Sequence, residues 1–160
     1  MTIDGINAMT RAEFVEELGW IFEHSPWVAD RAWESRPFAS VEALHAAMTA
    51  SMESAARDEQ LALLRAHPEL GSRAPMSEAS TSEQAGAFSS GGLPQREELR
   101  RYREKFGFPF IYAVKGSPAS DITMALDFRK HDTPEQEFQQ ALREVRRIAW
   151  FRLQDQYKES

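Results

Sequence analysis

At 160 residues and 42% hydrophobic composition, the chain can bury one substantial core, and a single domain over 1–160 is expected. It has no cysteine, which excludes disulfides, thiolate nucleophiles, zinc ribbons and iron–sulfur clusters. The net charge of -6 lacks the basic footprint of a nucleic-acid or anionic-membrane binder, and no apolar run nears spanning length, so neither partner is expected. The amino-terminal MTIDGINAMT has neither a cationic start nor an apolar run, so nothing in it marks export and the cytoplasm is the expected location.

Period and propensity favour helices almost throughout, and about seven to eight are expected, forming an all-α single-domain helical bundle. Thr10 and Glu13 make a capping box ahead of Phe14, Leu18, Ile21 and Phe22, whose spacing lays one apolar face. Ser25-Pro26 opens a second helix with Val28, Ala29, Ala32 and Trp33 on one side, closed by Pro37. Ser40 caps a third carrying Val41, Leu44, Met48 and Met52. A fourth, with Leu61 and Leu64, stops at His67-Pro68, because a residue before proline leaves the helical region.

A polar stretch from Gly71 to Ser77, a short helical segment from about Ser80 to Ala87 and the flexible Ser89-Ser90-Gly91-Gly92 follow. Pro94 to Phe106 reads as an amphipathic helix with Leu99, Tyr102 and Phe106 on one face and Gly107 placed to end it. Phe108 to Tyr112 is an extended apolar segment. Ser117-Pro118 starts a helix through Ile122, Ala125, Leu126 and Arg129, and Thr133-Pro134 with Gln136 caps the last and longest one.

On that last helix, Phe138, Leu142, Val145, Ala149, Arg152 and Gln156 step by three and four, so Arg152 falls on the buried stripe. A cation there needs an anion. Two readings stay open: a structural one, in which Arg152 snorkels near the helix end or pairs with a core carboxylate, and a fork for a substrate carboxylate or ureido oxygen. His67 lies where a proline fixes the backbone and Gly71 lets the chain turn away; a structural histidine and a near-neutral acid–base group both fit. Ser80 and Glu83 fit a capping box, yet the same helix start exposes N–H groups to an anion, with Glu83 and Gln84 beside it as acceptor and donor.

Other motifs fail. Glu42 and His45 have the spacing of a di-iron bundle but no second copy, so no metal is expected; Ser89-Ser90-Gly91-Gly92 lacks the Lys-Ser/Thr of a phosphate-binding loop and follows no strand, so it reads as a flexible turn.

Four blocks in order, His67-Pro68-Glu69-Leu70-Gly71, Ser80-x-x-Glu83-Gln84, Phe106-Gly107-Phe108-Pro109-Phe110-Ile111 and Arg152-Leu153-x-Asp155, resemble the OHCU decarboxylase family. OHCU is 2-oxo-4-hydroxy-4-carboxy-5-ureidoimidazoline, and Phe22-Glu23-His24-Ser25-Pro26-Trp27-Val28 extends the resemblance over nearly the whole chain. The resemblance implies an all-helical bundle, commonly a homodimer, that decarboxylates OHCU to (S)-allantoin in urate catabolism with no metal or organic cofactor. It places the catalytic histidine at His67, with Glu83 holding the C4 hydroxyl or orienting His67. Substrate contacts fall on Pro68, Ser80, Gln84, Phe108, Pro109, Phe110, Ile111, Tyr112 and Arg152. A non-catalytic helical interaction module and a hydrolase of a related cyclic amide are the alternatives from the residues alone.

Overall fold

Local chemistry sets the start of most helices in the computed structural model, which describes residues 2–68, 70, 94–115 and 117–157. Among the described residues there are eight α-helices and no strand: α1 Ile3–Asn7, α2 Arg11–Leu18, α3 Trp27–Ala32, α4 Val41–Glu53, α5 Arg57–Ala66, α6 Arg96–Phe106, α7 Ala119–Arg129 and α8 Pro134–Gln156. A single 3-10 turn, Trp33–Ser35, extends α3. The chain is all-α, as its periodicity requires. The expected helical segment from Ser80 to Ala87, with the stretches Gly71 to Ser77 and Ser89 to Gly92, lies outside the described residues.

The expected caps are in place. The Thr10 hydroxyl accepts from Glu13 N at 3.2 Å while the Glu13 carboxylate accepts from Thr10 N at 3.0 Å, so two orphan donors of α2 are satisfied reciprocally. Ser40 Oγ accepts from Ala43 N at 3.1 Å, and Thr133 and Gln136 repeat the reciprocal pattern at 2.9 and 3.2 Å around Pro134, the first residue of α8. Gly107 closes α6 in the left-handed conformation, φ 83°, with its N–H donated to Arg103 O at 2.8 Å.

Three elements differ from expectation. Ile3–Asn7 forms α1, one short turn capped by Thr2 whose apolar content is too small for periodicity to register. α2 stops at Leu18 rather than running to Phe22: the chain turns at Gly19, where a Cβ would lie 2.5 Å from Val15 O and 3.2 Å from Pro26 Cβ, so the Val15 carbonyl above all keeps a side chain out. Ile21 and Phe22 are still fully buried, contributed by the turn instead of a helix face. On α8, Leu153 rather than Gln156 completes the buried stripe, because a straight helix drifts against a fixed three–four step.

The described chain divides into two compact units. The first, Met1–Leu63 with Ala149–Ser160, buries Ile6, Phe14, Leu18, Val28, Leu44, Met48, Met52 and Leu153, with Phe14 and Phe38 stacked at 6.0 Å. The second, Leu64–Ile148, is organised around aromatic side chains. Tyr102 meets Phe110 edge-on at 5.2 Å and Phe108 meets Phe138 edge-on at 6.3 Å, with Leu99, Ile122, Leu126 and Val145 around them. Each fully buried Leu or Phe contributes about 1.5–3 kcal/mol of transfer free energy.

Candidate active site

α5 ends at Ala66, and His67 follows directly, its N–H donated to Leu64 O at 3.2 Å. The position at a helix end is the expected one. Its imidazole is only 6% exposed, so it is a packed group rather than one standing free, and truncating it removes core contacts. Pro68 beside it is half-buried. Ser80, Glu83 and Gln84 lie outside the described residues.

The segment Phe108 to Tyr112 is inaccessible along most of its length: Phe108, Pro109, Phe110 and Ile111 are buried and Tyr112 is half-buried, its ring stacked on Phe110 at 6.3 Å. Side chains from α7 and α8 fix its backbone. Arg129, at the end of α7, donates from Nη1 to Ile111 O at 2.7 Å and places its guanidinium carbon 4.4 Å from the Phe110 ring centroid. Glu144 on α8 accepts from Ala113 N at 3.1 Å.

Arg129 is itself held. Its Nε donates to Glu137 Oε1 at 2.8 Å, and the Tyr102 hydroxyl donates to the same oxygen. Arg129, Glu137 and Tyr102 are all buried. Burial pushes the Glu137 carboxyl above the usual carboxylate range and the Arg129 guanidinium opposes that rise; burial likewise pushes the Tyr102 phenol up. Glu144 is steadied by Gln140 at 3.1 Å and by Arg147, which donates at 3.1 and 3.2 Å.

Arg152 occupies the buried stripe of α8 as read, 4% exposed on its side chain, and of its two readings the core carboxylate is present. Nη2 lies 2.8 Å from the fully buried Glu23 carboxylate, while Nη1 donates to Trp20 O at 3.2 Å and Ile21 O at 3.3 Å. Glu23 is presented by the turn after α2, where His24 takes φ 47°, the left-handed region that non-glycine residues enter at a cost of roughly 1 kcal/mol. Of the other histidines, His45 packs its ring on Trp150 at 5.2 Å. Among the described residues no group of three or more His, Asp or Glu converges as metal ligands would, and no helix is long and apolar enough to cross a membrane.

Glu23, Glu137 and Glu144 went unread in the sequence, as did the role of Arg129. A signal existed: Glu137 and Glu144 border the apolar stripe of α8 two turns apart, and Arg129 sits on the apolar face of α7, so each is a charge at a position that burial demands be paired.

Comparison with known proteins places these features. The OHCU decarboxylase family profile matches residues 7–154. The chain is 45% identical over 162 residues to the 2-oxo-4-hydroxy-4-carboxy-5-ureidoimidazoline decarboxylase of Haloferax volcanii, covering 98% of this chain and 96% of that one. It is 45% identical to the uric acid degradation bifunctional protein PucL of Bacillus subtilis, covering 96% of this chain and 32% of that longer protein. A crystal structure of (S)-allantoin synthase superposes with a TM-score of 0.76 at 33% identity, covering all of this chain and 55% of that one. These matches define an all-helical carboxy-lyase, an enzyme that breaks a carbon–carboxylate bond. The chain belongs to the OHCU decarboxylase family.

Proposed function

We propose that the chain catalyses cofactor-independent decarboxylation of OHCU to (S)-allantoin and CO2 in urate breakdown. The observation that carries this reading is His67, a buried imidazole at the end of α5 inside the span matched by the family. OHCU bears its carboxylate on C4, next to the C5=N bond. When the C4–carboxylate bond breaks, CO2 departs and the electron pair forms a C4=C5 double bond while the imine nitrogen takes up the displaced pair and a proton. The ring is its own electron sink. The resulting enol becomes allantoin when its hydroxyl proton leaves and C5 receives a proton, and delivery from one face gives the S enantiomer.

His67 fits that delivery, since an imidazole titrates near neutrality and a packed one approaches from one side only. Glu83 holds the C4 hydroxyl or orients His67, and Pro68, Ser80 and Gln84 are further substrate contacts. The backbone of Phe108 to Tyr112 and Arg152, which keeps its pairing with Glu23 while contacting the ligand, hold the ring carbonyl and ureido groups, replacing water with fixed dipoles. The chain acts as one domain in the cytoplasm, and as a homodimer: Met124 and Phe128, one turn apart on α7 and 57% and 74% exposed, suit contact with a second copy.

The test replaces His67 by asparagine, which keeps a polar group in the buried position. The rate of OHCU decay should fall by roughly two or more orders of magnitude, and residual allantoin should drift towards the racemate that spontaneous decay yields. Far-ultraviolet circular dichroism checks the fold, and the growth of the allantoin dichroism signal reads the product. A folded variant that still makes optically pure allantoin near the native rate would remove His67 from the chemistry.

A further inference from the structure

The peptide groups on either side of Tyr112 are each gripped at one end by a buried charged side chain. Arg129 Nη1 donates to Ile111 O at 2.7 Å, and Glu144 Oε1 accepts from Ala113 N at 3.1 Å. A trans peptide is planar, with its C=O and N–H pointing in opposite directions. Fixing the Ile111 carbonyl therefore aims the Tyr112 N–H away from Arg129, and fixing the Ala113 N–H aims the Tyr112 C=O away from Glu144. One donor and one acceptor on the same residue are oriented without being consumed: among the described residues neither the Tyr112 N–H nor its carbonyl has a hydrogen-bond partner.

The investment behind this arrangement is larger than a loop needs. Arg129 is locked to Glu137, which also accepts from Tyr102 on the same oxygen, and both pair members are buried, so their desolvation is offset by the ion pair and by the bonds that each makes. Glu144 is buried too, and is fastened by Gln140 and Arg147. Charged groups withdrawn from water to hold two peptide planes act as preorganisation: reorientation costs are met at folding and not on ligand binding.

We propose that Arg129 and Glu144 are positioning residues that preset the main-chain N–H and C=O of Tyr112 as a donor–acceptor pair for an amide or ureido edge of the substrate. The inference rests on the reading above that Phe108 to Tyr112 faces substrate. Neither side chain touches the ligand; each acts through a peptide plane.

Steady-state kinetics with freshly generated OHCU test it on the full chain, with thermal melts alongside. Arg129→Lys keeps a charge for Glu137 but has no second N–H in a fixed fork to hold Ile111 O, and Glu144→Leu removes the acceptor for Ala113 N. Both should raise KM by about tenfold, the scale of one lost bond of about 1.4 kcal/mol, while kcat changes less than threefold. Glu144→Gln keeps an amide oxygen and should restore the native KM. Ile122→Val, a core trimming on α7, controls for stability and should lower the melting temperature with KM unmoved.

Folded Arg129 and Glu144 variants with native KM overturn the proposal, as does a KM change that merely follows the melting temperature. If Arg129→Lys does not fold, the Glu144 pair decides; if Glu144→Leu also fails to fold, the clamps are structural and the proposal is wrong. A native chain that does not turn over OHCU overturns the functional reading first and the clamp with it. A native chain that is active, with KM blind to these substitutions, defeats the clamp alone.

Discussion

Two arginines among the described residues are buried against carboxylates, and the same chemistry is put to different structural use. Arg152 sends three bonds to one turn: Glu23, Trp20 and Ile21 stand together in the chain, and Glu23 lies 129 positions away in sequence. Arg129 joins separate segments, Ile111 before α7 and Glu137 on α8, with Tyr102 of α6 completing the cluster. The first arrangement staples a helix to a turn. The second transmits the rigidity of three helices to one peptide plane. A buried ion pair is weak support for stability in itself, and what distinguishes the two is which carbonyls each guanidinium holds besides its carboxylate: Trp20 O and Ile21 O for Arg152, Ile111 O for Arg129.

Cutting either pair on its acidic side has the largest expected effect. Glu23→Leu and Glu137→Leu each strand a guanidinium in the interior and should each lower stability by about 3–5 kcal/mol, read from urea midpoints at constant slope. A loss below about 1 kcal/mol at either site would show that its charge reaches water and would end the parallel between them. A smaller effect sharpens the contrast. Replacing both partners, Arg129→Met with Glu137→Leu, removes the two desolvated charges together and should return stability to within about 1–2 kcal/mol of the native chain. KM should nevertheless stay raised, because Ile111 O has lost its donor; recovery of both together would reduce the pair to packing.

The smallest effect concerns the buried phenols, Tyr102 beside Arg129 and Tyr157 beyond Arg152. Burial pushes Tyr157 up to about 12, with the Glu17 charge adding to the rise, and burial raises Tyr102 as well. Below pH 10 the phenol is neutral folded or unfolded, so its contribution is constant. As pH climbs from 10 towards 12 the unfolded chain ionises first, and stability is lost across that window. Tyr157→Phe should spare roughly 1 kcal/mol of that alkaline loss at pH 11, measured by denaturant titration at pH 9 and pH 11. An identical pH dependence in the variant would place the alkaline transition elsewhere.

What the sequence discloses follows the range of the interaction. Thr10 with Glu13, Ser40, Thr133 with Gln136, and Gly107 announce their helix ends because each cap is made within a few residues. The end of α2 is not legible in the same way: its apolar period continues through Ile21 and Phe22, while the helix ends at Leu18 and the chain turns at Gly19, a place where a side chain would meet the Val15 carbonyl and Pro26. The site divides likewise. His67 is marked by its proline and by the family blocks, and Arg152 by its place on an apolar stripe. Glu23 can be matched to Arg152 only once the chain is folded, and Glu144 only once Ala113 N is beside it, since neither contact has a local spacing that predicts it.

Gly107 shows how narrow a requirement can be. Among the described residues a Cβ there would meet only Arg65 Nη2, at 3.9 Å, while the backbone sits at φ 83° and its carbonyl accepts from Arg65 Nε at 3.0 Å. Space is not what excludes a side chain; handedness is. A residue of the mirror-image series would settle at this position with its natural torsion, whereas an L residue must bear a torsional penalty of about 1–2 kcal/mol. The position just ahead of Phe108 is thus constrained in stereochemistry and permissive in bulk, and among the encoded amino acids that leaves glycine, with asparagine as the nearest tolerable departure.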